Sequence, residues 1–537
     1  MFILPKLAKF NHRHLLFLSC LLLICAITAY IGAVPTRRYG HDIFFLLDNG
    51  WRVINGQRPH IDYASGWGPV TFLINAIGLK VSNYAVDGIG YGNVIFAFLI
   101  GLWCYLLSEN RLGVLIQYLL SLSLAGLVLA PYALGSSFYE SSHAMVYNRY
   151  GYALLSLILI ETFQTAESIE RGSGELAGGF SSGAAIALAL FLKLSYFFVA
   201  LMLLFGISLL LWRLSRRRLL GLLFGFFLVA LVLLAYLNFN IGAILSDLQM
   251  TVKARSASFT FGELLRKTAT NVPFYVAILS SIYMRFLLVE TNRSRRRLVQ
   301  LLLAGSLVFF ADIFLLFSNA QWRELPLIAV FALLQMNGVG LQFQKLPKIH
   351  NHSLNYLYIG VMLIGTMIFL PRVGRDFLAI FYGACQKAFP SHLSSVLRFS
   401  EPRLFPLLLY DFPNSKRNNG SQYTMYVNDG VTLLRKSSTA NETVITMDMT
   451  NPFPYAMGRC PPIGGIAAAA YKYTLSDSHR PSDDKYFGTA DIVMVPKHPA
   501  AHDIYYYGYY KIYEQGLKQR FYLAAESDLW YLYKRKK

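Results

Sequence analysis

Residues with chemistry to offer fall in a few places along the 537-residue chain. Two carboxylates, Asp42 and Asp48, lie in HDIFFLLDNGWRVING, just past the first long apolar run, and His60 and Asp62 follow in GQRPHIDY. Cations interrupt apolar sequence further on: Arg149 in HAMVYNRYG, Lys193 in ALFLKLSYFF, Lys253 and Arg255 in VKARSASF, and Arg323 in NAQWREL. A carboxylate can take a proton, and a cation can hold an anion. A lysine costs about 2.5–3.5 kcal/mol at the centre of a membrane helix, so the Lys193 ammonium must reach water or an anion. Snorkelling satisfies that demand as well as an anion does. Arg149 reads equally as an interfacial anchor, Arg323 as a partner of Glu324, and PHIDY as a rigid turn begun by Pro59.

The elements that must position these groups follow from composition. The chain is 55% hydrophobic and 15% charged, with mean hydropathy +0.42, which places it among polytopic membrane proteins. Apolar runs long enough to span, roughly 20 residues, lie near 15–34, 90–107, 112–131, 150–165, 177–193, 195–212, 218–237, 272–289, 297–317, 324–341 and 354–370. That makes about eleven crossings. A net charge of +20 sits in short clusters between these runs, where it sets topology and meets anionic lipid, so nucleic-acid binding is excluded.

The clusters at Lys6 to His14, Glu109 to Arg111, Glu167 to Glu175, Arg213 to Arg218, Asn292 to Arg297 and Gln344 to His352 occupy alternate connections. By the positive-inside rule they face the cytoplasm, with the N-terminus, and everything past Pro371 faces out. The N-terminal apolar run reads as a retained anchor, with cleavage after Ala33 as the alternative. Outside lie a long first loop (35–89), a loop at 132–149 with Glu140 and His143, and a loop at 238–271. The inner loops are short, and no internal repeat of the kind many transporters carry is present.

Within the first loop, 100° steps place Val53, Leu46, Gly50, Ile43, Ile54 and Leu47 on one arc and Asn55, Asp48, Arg52, Asn49 and Asp42 on the other. This predicts an amphipathic helix lying on the membrane surface, its carboxylates turned toward lipid headgroups. As plain surface charges, Asp42 and Asp48 would be solvated, with Asp48 pairing Arg52 at i,i+4.

Past Pro371 a linker (371–399) leads to a polar, Tyr-rich region, 400–537, predicted as a small α/β or α+β domain outside the membrane. YTMYVNDGVTLLRK and TVITMDM read as strands, HDIYYYGYYKIYEQG as a helix and RFYLAAESDLWYLYKRKK as a hairpin. Of five cysteines, only Cys385 and Cys460 are candidates for a disulfide. Sequons occur at Asn441 and Asn419.

Taken together, the spans, the acid in the first outer loop, GQRPHIDY, the Lys late in a mid-chain span and the external C-terminal domain resemble the GT-C superfamily of polytopic glycosyltransferases. Its members use polyprenyl- or dolichyl-phosphate sugars and include protein mannosyltransferases and lipid A aminoarabinose transferases. The resemblance covers residues 1–370. The family carries a paired Asp-Glu where this chain has His41-Asp42. What it implies is an α-helical polytopic fold of about eleven spans and sugar transfer from a polyprenyl-phosphate donor to a glycan, lipid or protein acceptor. It further implies Asp42 as general base with Asp48 in reserve, Asp62 in the family's following loop, and Lys193 on the lipid phosphate. Arg255, and then Arg149, are further cations for that phosphate. His60 and Asp62 would orient the base or share a divalent ion, Mg or Mn. The setting so implied is a bacterial inner membrane with the C-terminal domain in the periplasm, or, in a eukaryotic host, the endoplasmic reticulum with that domain in the lumen. From other classes come a transporter or flippase of lipid-linked saccharides, with polar residues at midplane, and a membrane scaffold.

Overall fold

The computed structural model describes residues 12–163, 173–212, 215–256, 260–289, 294–319, 321, 323–337, 352–389, 396–411, 420–499 and 503–537. Each expected crossing meets a helix: α1 (His12–Ile31), α4 (Gly88–Ser108), α5 (Val114–Leu129), α6 (Val146–Phe163), α7 (Ser173–Leu190), α8 (Leu194–Leu210), α9 (Arg216–Tyr236), α11 (Phe261–Val289), α12 (Arg295–Ser318), α13 (Pro326–Met336) and α14 (His352–Ala388). In lipid a chain satisfies its backbone within the helix, so long apolar runs leave little choice. Six of these, α1, α4, α9, α11, α12 and α14, are long and apolar enough to cross a membrane; α5, α7, α8 and α13 are shorter apolar helices. The protein is an integral, multi-pass membrane protein. Parts of the basic clusters at 6–14, 167–175, 213–218, 292–297 and 344–352, and Asn419 of one sequon, lie outside the described residues.

Glycines draw two of the helices together. A Cβ on Gly183 of α7 would lie 2.0 Å from the Leu222 carbonyl oxygen of α9, and one on Gly221 would lie 2.2 Å from that of Leu176. With Gly179 and Gly225 making the same approach, this is the small-residue packing that replaces the hydrophobic drive where lipid is the solvent.

Three helices lie in the connections: α2 (Asp42–Ile54), as expected, and α3 (Pro69–Val81) and α10 (Ile241–Ser256), which the hydropathy pattern does not reveal. The membrane-surface placement of α2 needs correction. Most of its polar arc is turned inward: Asp48, Asn49 and Arg52 are buried, while Asp42 is partly open and Asn55 exposed. Trp51 Nε1 donates to the Arg459 carbonyl (2.8 Å), Gln57 Nε2 to that of Pro461 (2.7 Å) and Asn49 Nδ2 to that of Ala467 (3.1 Å). Backbone bonds from Ala64 to Gly465 (3.1 Å) and from Ala467 to Ala64 (2.9 Å) complete the seam.

The expected linker does not start at 371, because α14 runs through Pro371 to Ala388. The C-terminal domain holds α15 (Gly420–Ser437), α16 (Phe453–Met457), α17 (Asp483–Phe487), α18 (Asp503–Arg520) and strands β1 (Val444–Thr446), β2 (Ile492–Pro496), β3 (Phe521–Glu526) and β4 (Trp530–Arg535). The sheet order is β1-β2-β4-β3, with β1 parallel to β2 and the other pairs antiparallel. YTMYVNDGVTLLRK is therefore helix, not strand. Its buried Tyr423, Val427, Val431 and Leu434 follow a 3.6-residue period, which outweighs the short alternation. All five cysteines are free, so Cys385 and Cys460 form no disulfide.

Candidate functional site

Asp42 opens α2. The neighbouring His41 is buried, with Nε2 3.3 Å from Asp42 Oδ1. Burial pushes the His41 imidazole down to about 4, so it is neutral at pH 7 and placed to donate from Nε2 to the carboxylate. The Asp42 side chain keeps 16% of its surface open, whereas that of Asp48 keeps 4%. Of the two, Asp42 is the more open.

A group of aromatic rings follows from Phe45 of α2. Phe45 and Trp67 have centroids 4.9 Å apart, and Trp67 and Tyr147 5.7 Å apart. The Nζ of Lys193 lies 5.0 Å from the Tyr147 ring centroid and donates to Asn319 Oδ1 at 2.6 Å; Asn319 Nδ2 in turn donates to the Tyr196 hydroxyl at 3.0 Å. Asp42 and Arg255 both act electrostatically on the Tyr147 hydroxyl, and Arg255 also acts on Lys193. Lys193 thus lies against the Tyr147 ring, and the charges of Asp42 and Arg255, far apart in sequence, both act on the Tyr147 hydroxyl.

Lys193 is presented by a break between α7 and α8, where its backbone is extended (φ −165°, ψ 133°). The start of α3 holds that break in place. Gly68 N donates to the Leu192 carbonyl (3.1 Å) and Val70 N to that of Phe191 (3.1 Å). A Cβ on Gly68 would lie 2.0 Å from the Phe191 oxygen, so this approach needs glycine.

The other expected residues have different surroundings. Asp48 Oδ2 accepts from Arg52 Nε at 3.1 Å, the i,i+4 pair, and burial pushes its carboxyl up. Arg52 Nη1 donates to Gln57 Oε1 (2.9 Å) and to the carbonyls of Pro462 (3.0 Å) and Gly464 (3.2 Å), and the guanidinium stacks on Tyr63. Asp62 Oδ2 accepts from the Arg58 amide at 2.7 Å, closing the PHIDY turn. His60 Nδ1 lies 3.1 Å from Asp247 Oδ2. Arg149 is buried, donating to the carbonyls of Tyr132 (2.7 Å) and Leu127 (2.8 Å) and to Asp376 Oδ1 (3.0 Å). Glu140 pairs with Arg38 at 2.7 Å. His143, pushed by burial down to about 4, accepts the Val34 amide at Nε2 (3.0 Å). Arg323 is exposed, and Glu324 pairs instead with Arg375 at 2.9 Å.

Because His60 and Asp62 serve different partners, this pair does not fit a shared Mg or Mn ion. Among the described residues no group of three or more His, Cys, Asp or Glu is placed to hold a metal. Trp67, Tyr147, Asn319 and Asp247 escape a reading of the sequence. The one available signal is polarity out of place, as for Asp247 amid the apolar residues of ILSDLQM.

No family model and no curated protein matches the chain. Among solved structures it is similar to ArnT from Cupriavidus metallidurans bound to undecaprenyl phosphate, at 10% identity over 98% of each chain, TM-score 0.40. The apo state of that protein aligns at 13% identity over 97% of each chain, TM-score 0.37. The Archaeoglobus fulgidus oligosaccharyltransferase, in complex with Zn and sulfate, aligns at 13% identity over 89% of this chain and 68% of that one, TM-score 0.33. At these scores the likeness assigns no substrate and no residue role.

Proposed function

We propose that the chain is a membrane glycosyltransferase that moves a sugar from a polyprenyl-phosphate donor to an acceptor hydroxyl or amine. Asp42 is the general base: it takes the proton as the acceptor attacks the anomeric carbon, and the bond from that carbon to the phosphate oxygen breaks. Lys193 and Arg255 hold the phosphate and stabilise the charge it gains on leaving as polyprenyl phosphate. One base on the face opposite the leaving group makes the transfer inverting. Neutral His41 orients Asp42 by donating to it. Asp48, Arg52, Asp62 and Arg149 have structural roles: the Asp48–Arg52 pair, the Arg52 bonds to Pro462 and Gly464, the Asp62 turn and the Arg149 bonds to Tyr132, Leu127 and Asp376 tie the first loop, the C-terminal domain and the membrane helices together.

The reaction takes place at the outer face of a bacterial inner membrane, with the N-terminus in the cytoplasm and the C-terminal domain in the periplasm. The observation that supports this reading is Lys193 against the Tyr147 ring, with a partly open carboxylate at Asp42 and the charges of Asp42 and Arg255 both acting on the Tyr147 hydroxyl. The test is a titration of undecaprenyl phosphate against the full-length protein in nanodiscs. Lys193→Ala and Arg255→Ala should each weaken binding about tenfold or more, one charge-assisted contact, while Asp42→Asn binds as wild type. Equal affinity in all variants overturns the assignment of the cations.

A further inference from the structure

We infer that the C-terminal domain sets the position of Arg255 through a buried latch on Asp247. This rests on the reading of Arg255 as a contact to the donor phosphate. Both residues lie on α10, which has two unlike faces. Ile241, Leu245 and Val252 are 52%, 52% and 55% exposed, an apolar stripe at helical spacing suited to the acyl boundary. The opposite face turns Asp247, Met250 and Ala254 into the protein, all buried. A helix resting on lipid by one face needs contacts on the other to fix its rotation and its height.

Those contacts converge on one carboxylate. Asp247 Oδ2 accepts from the Ser65 amide at 2.8 Å and lies 3.1 Å from His60 Nδ1; its Oδ1 accepts from Lys485 Nζ at 3.2 Å. The first two come from the loop that follows α2, and the third comes from α17 of the C-terminal domain. Gly66 lies against the same face, since a Cβ there would meet Thr251 Oγ1 at 2.8 Å. Two turns further along α10, the Arg255 guanidinium lies 5.6 Å from the ring centroid of Tyr473, again from the C-terminal domain. The domain therefore touches α10 at two points, an ion pair at Asp247 and an aromatic face at Arg255. Asp247, Lys485 and Tyr473 are positioning residues: they act on the donor only through Arg255.

Amide hydrogen exchange over 241–256 in the full-length protein reads the latch without substrate. Lys485→Ala should speed exchange there roughly tenfold, as expected for loss of one charge-assisted hydrogen bond, and Lys485→Arg should restore it. Lys485 is partly exposed, so the variant disturbs no core. Undecaprenyl phosphate binding then reads the consequence: Lys485→Ala and Tyr473→Leu should raise Kd severalfold, and Lys485→Arg should restore it. Exchange at the wild-type rate in Lys485→Ala overturns the latch, and faster exchange with unchanged Kd overturns its link to Arg255. If wild-type protein fails to bind undecaprenyl phosphate, the proposed function falls, and the exchange experiment still decides the latch.

Discussion

Replacing Asp42 by Asn separates chemistry from architecture. The substitution keeps the shape of the side chain and an oxygen able to accept from the neutral His41 Nε2, 3.3 Å away, but removes the group that takes the proton. A hydrogen bond to a charged group contributes about 1.5–3 kcal/mol and a neutral one about 0.5–1.5, so the folded state loses about 1 kcal/mol. The transition state loses far more: a positioned base contributes about 10²–10⁴-fold, or about 3–5 kcal/mol at about 1.36 kcal/mol per decade. Release of polyprenyl phosphate from a polyprenyl-phosphate sugar, followed in nanodiscs at saturating donor, should fall by that factor, with donor affinity unchanged. Asp48→Asn supplies the control, since that carboxylate is buried against Arg52. Turnover in Asp42→Asn within about threefold of wild type, far short of the loss expected for a general base, would refute Asp42 as the base.

Arg52→Ala should destabilise the protein by about 3–5 kcal/mol, the cost of leaving a buried charge unpaired, here Asp48; thermal unfolding of the purified variant measures it. Gly183→Leu should prevent the close approach of α7 and α9, an overpacking cost of at least about 1–3 kcal/mol, seen as loss of monodisperse protein on size exclusion. His41 and His143 are both held near 4 against an ordinary 6.5. The unfolded chain takes up these protons first, so their contribution is complete above pH 6.5 and lost as pH falls toward 4. The drop is about 3 kcal/mol for each. Tm followed from pH 7 to 4.5 should decline, and decline less steeply in His143→Gln; an identical slope would show that His143 is not buried neutral.

The sequence makes the spans legible because hydropathy and backbone satisfaction in lipid leave one solution, as α9 and α12 show. It makes α2 legible as a helix, since its apolar arc is periodic, but not which surface its polar arc meets. Asn49 and Arg52 look solvated until carbonyls of residues 462–467, four hundred positions away in the chain, are seen to accept from them. In the same way α10 hides in a loop because its inward face carries Asp247 and its outward face exposed isoleucine, leucine and valine, giving neither a span nor a clean polar helix. Local alternation misled at 420–437, where burial at helical spacing decides. For the site, Asp42, Lys193 and Arg255 are visible as charges out of place, whereas Trp67, Tyr147 and Asn319 have ordinary interfacial chemistry that acquires meaning only from what the fold sets beside them.

The most direct measurement is a high-resolution cryo-EM map of the full-length protein with undecaprenyl phosphate in a nanodisc. The phosphate should lie within hydrogen-bonding reach of Lys193 and Arg255 beside the Tyr147 ring, with the Asp42 carboxylate open to the space next to it. A headgroup bound elsewhere, or one that leaves Asp42 walled off from it, would contradict sugar transfer at this site.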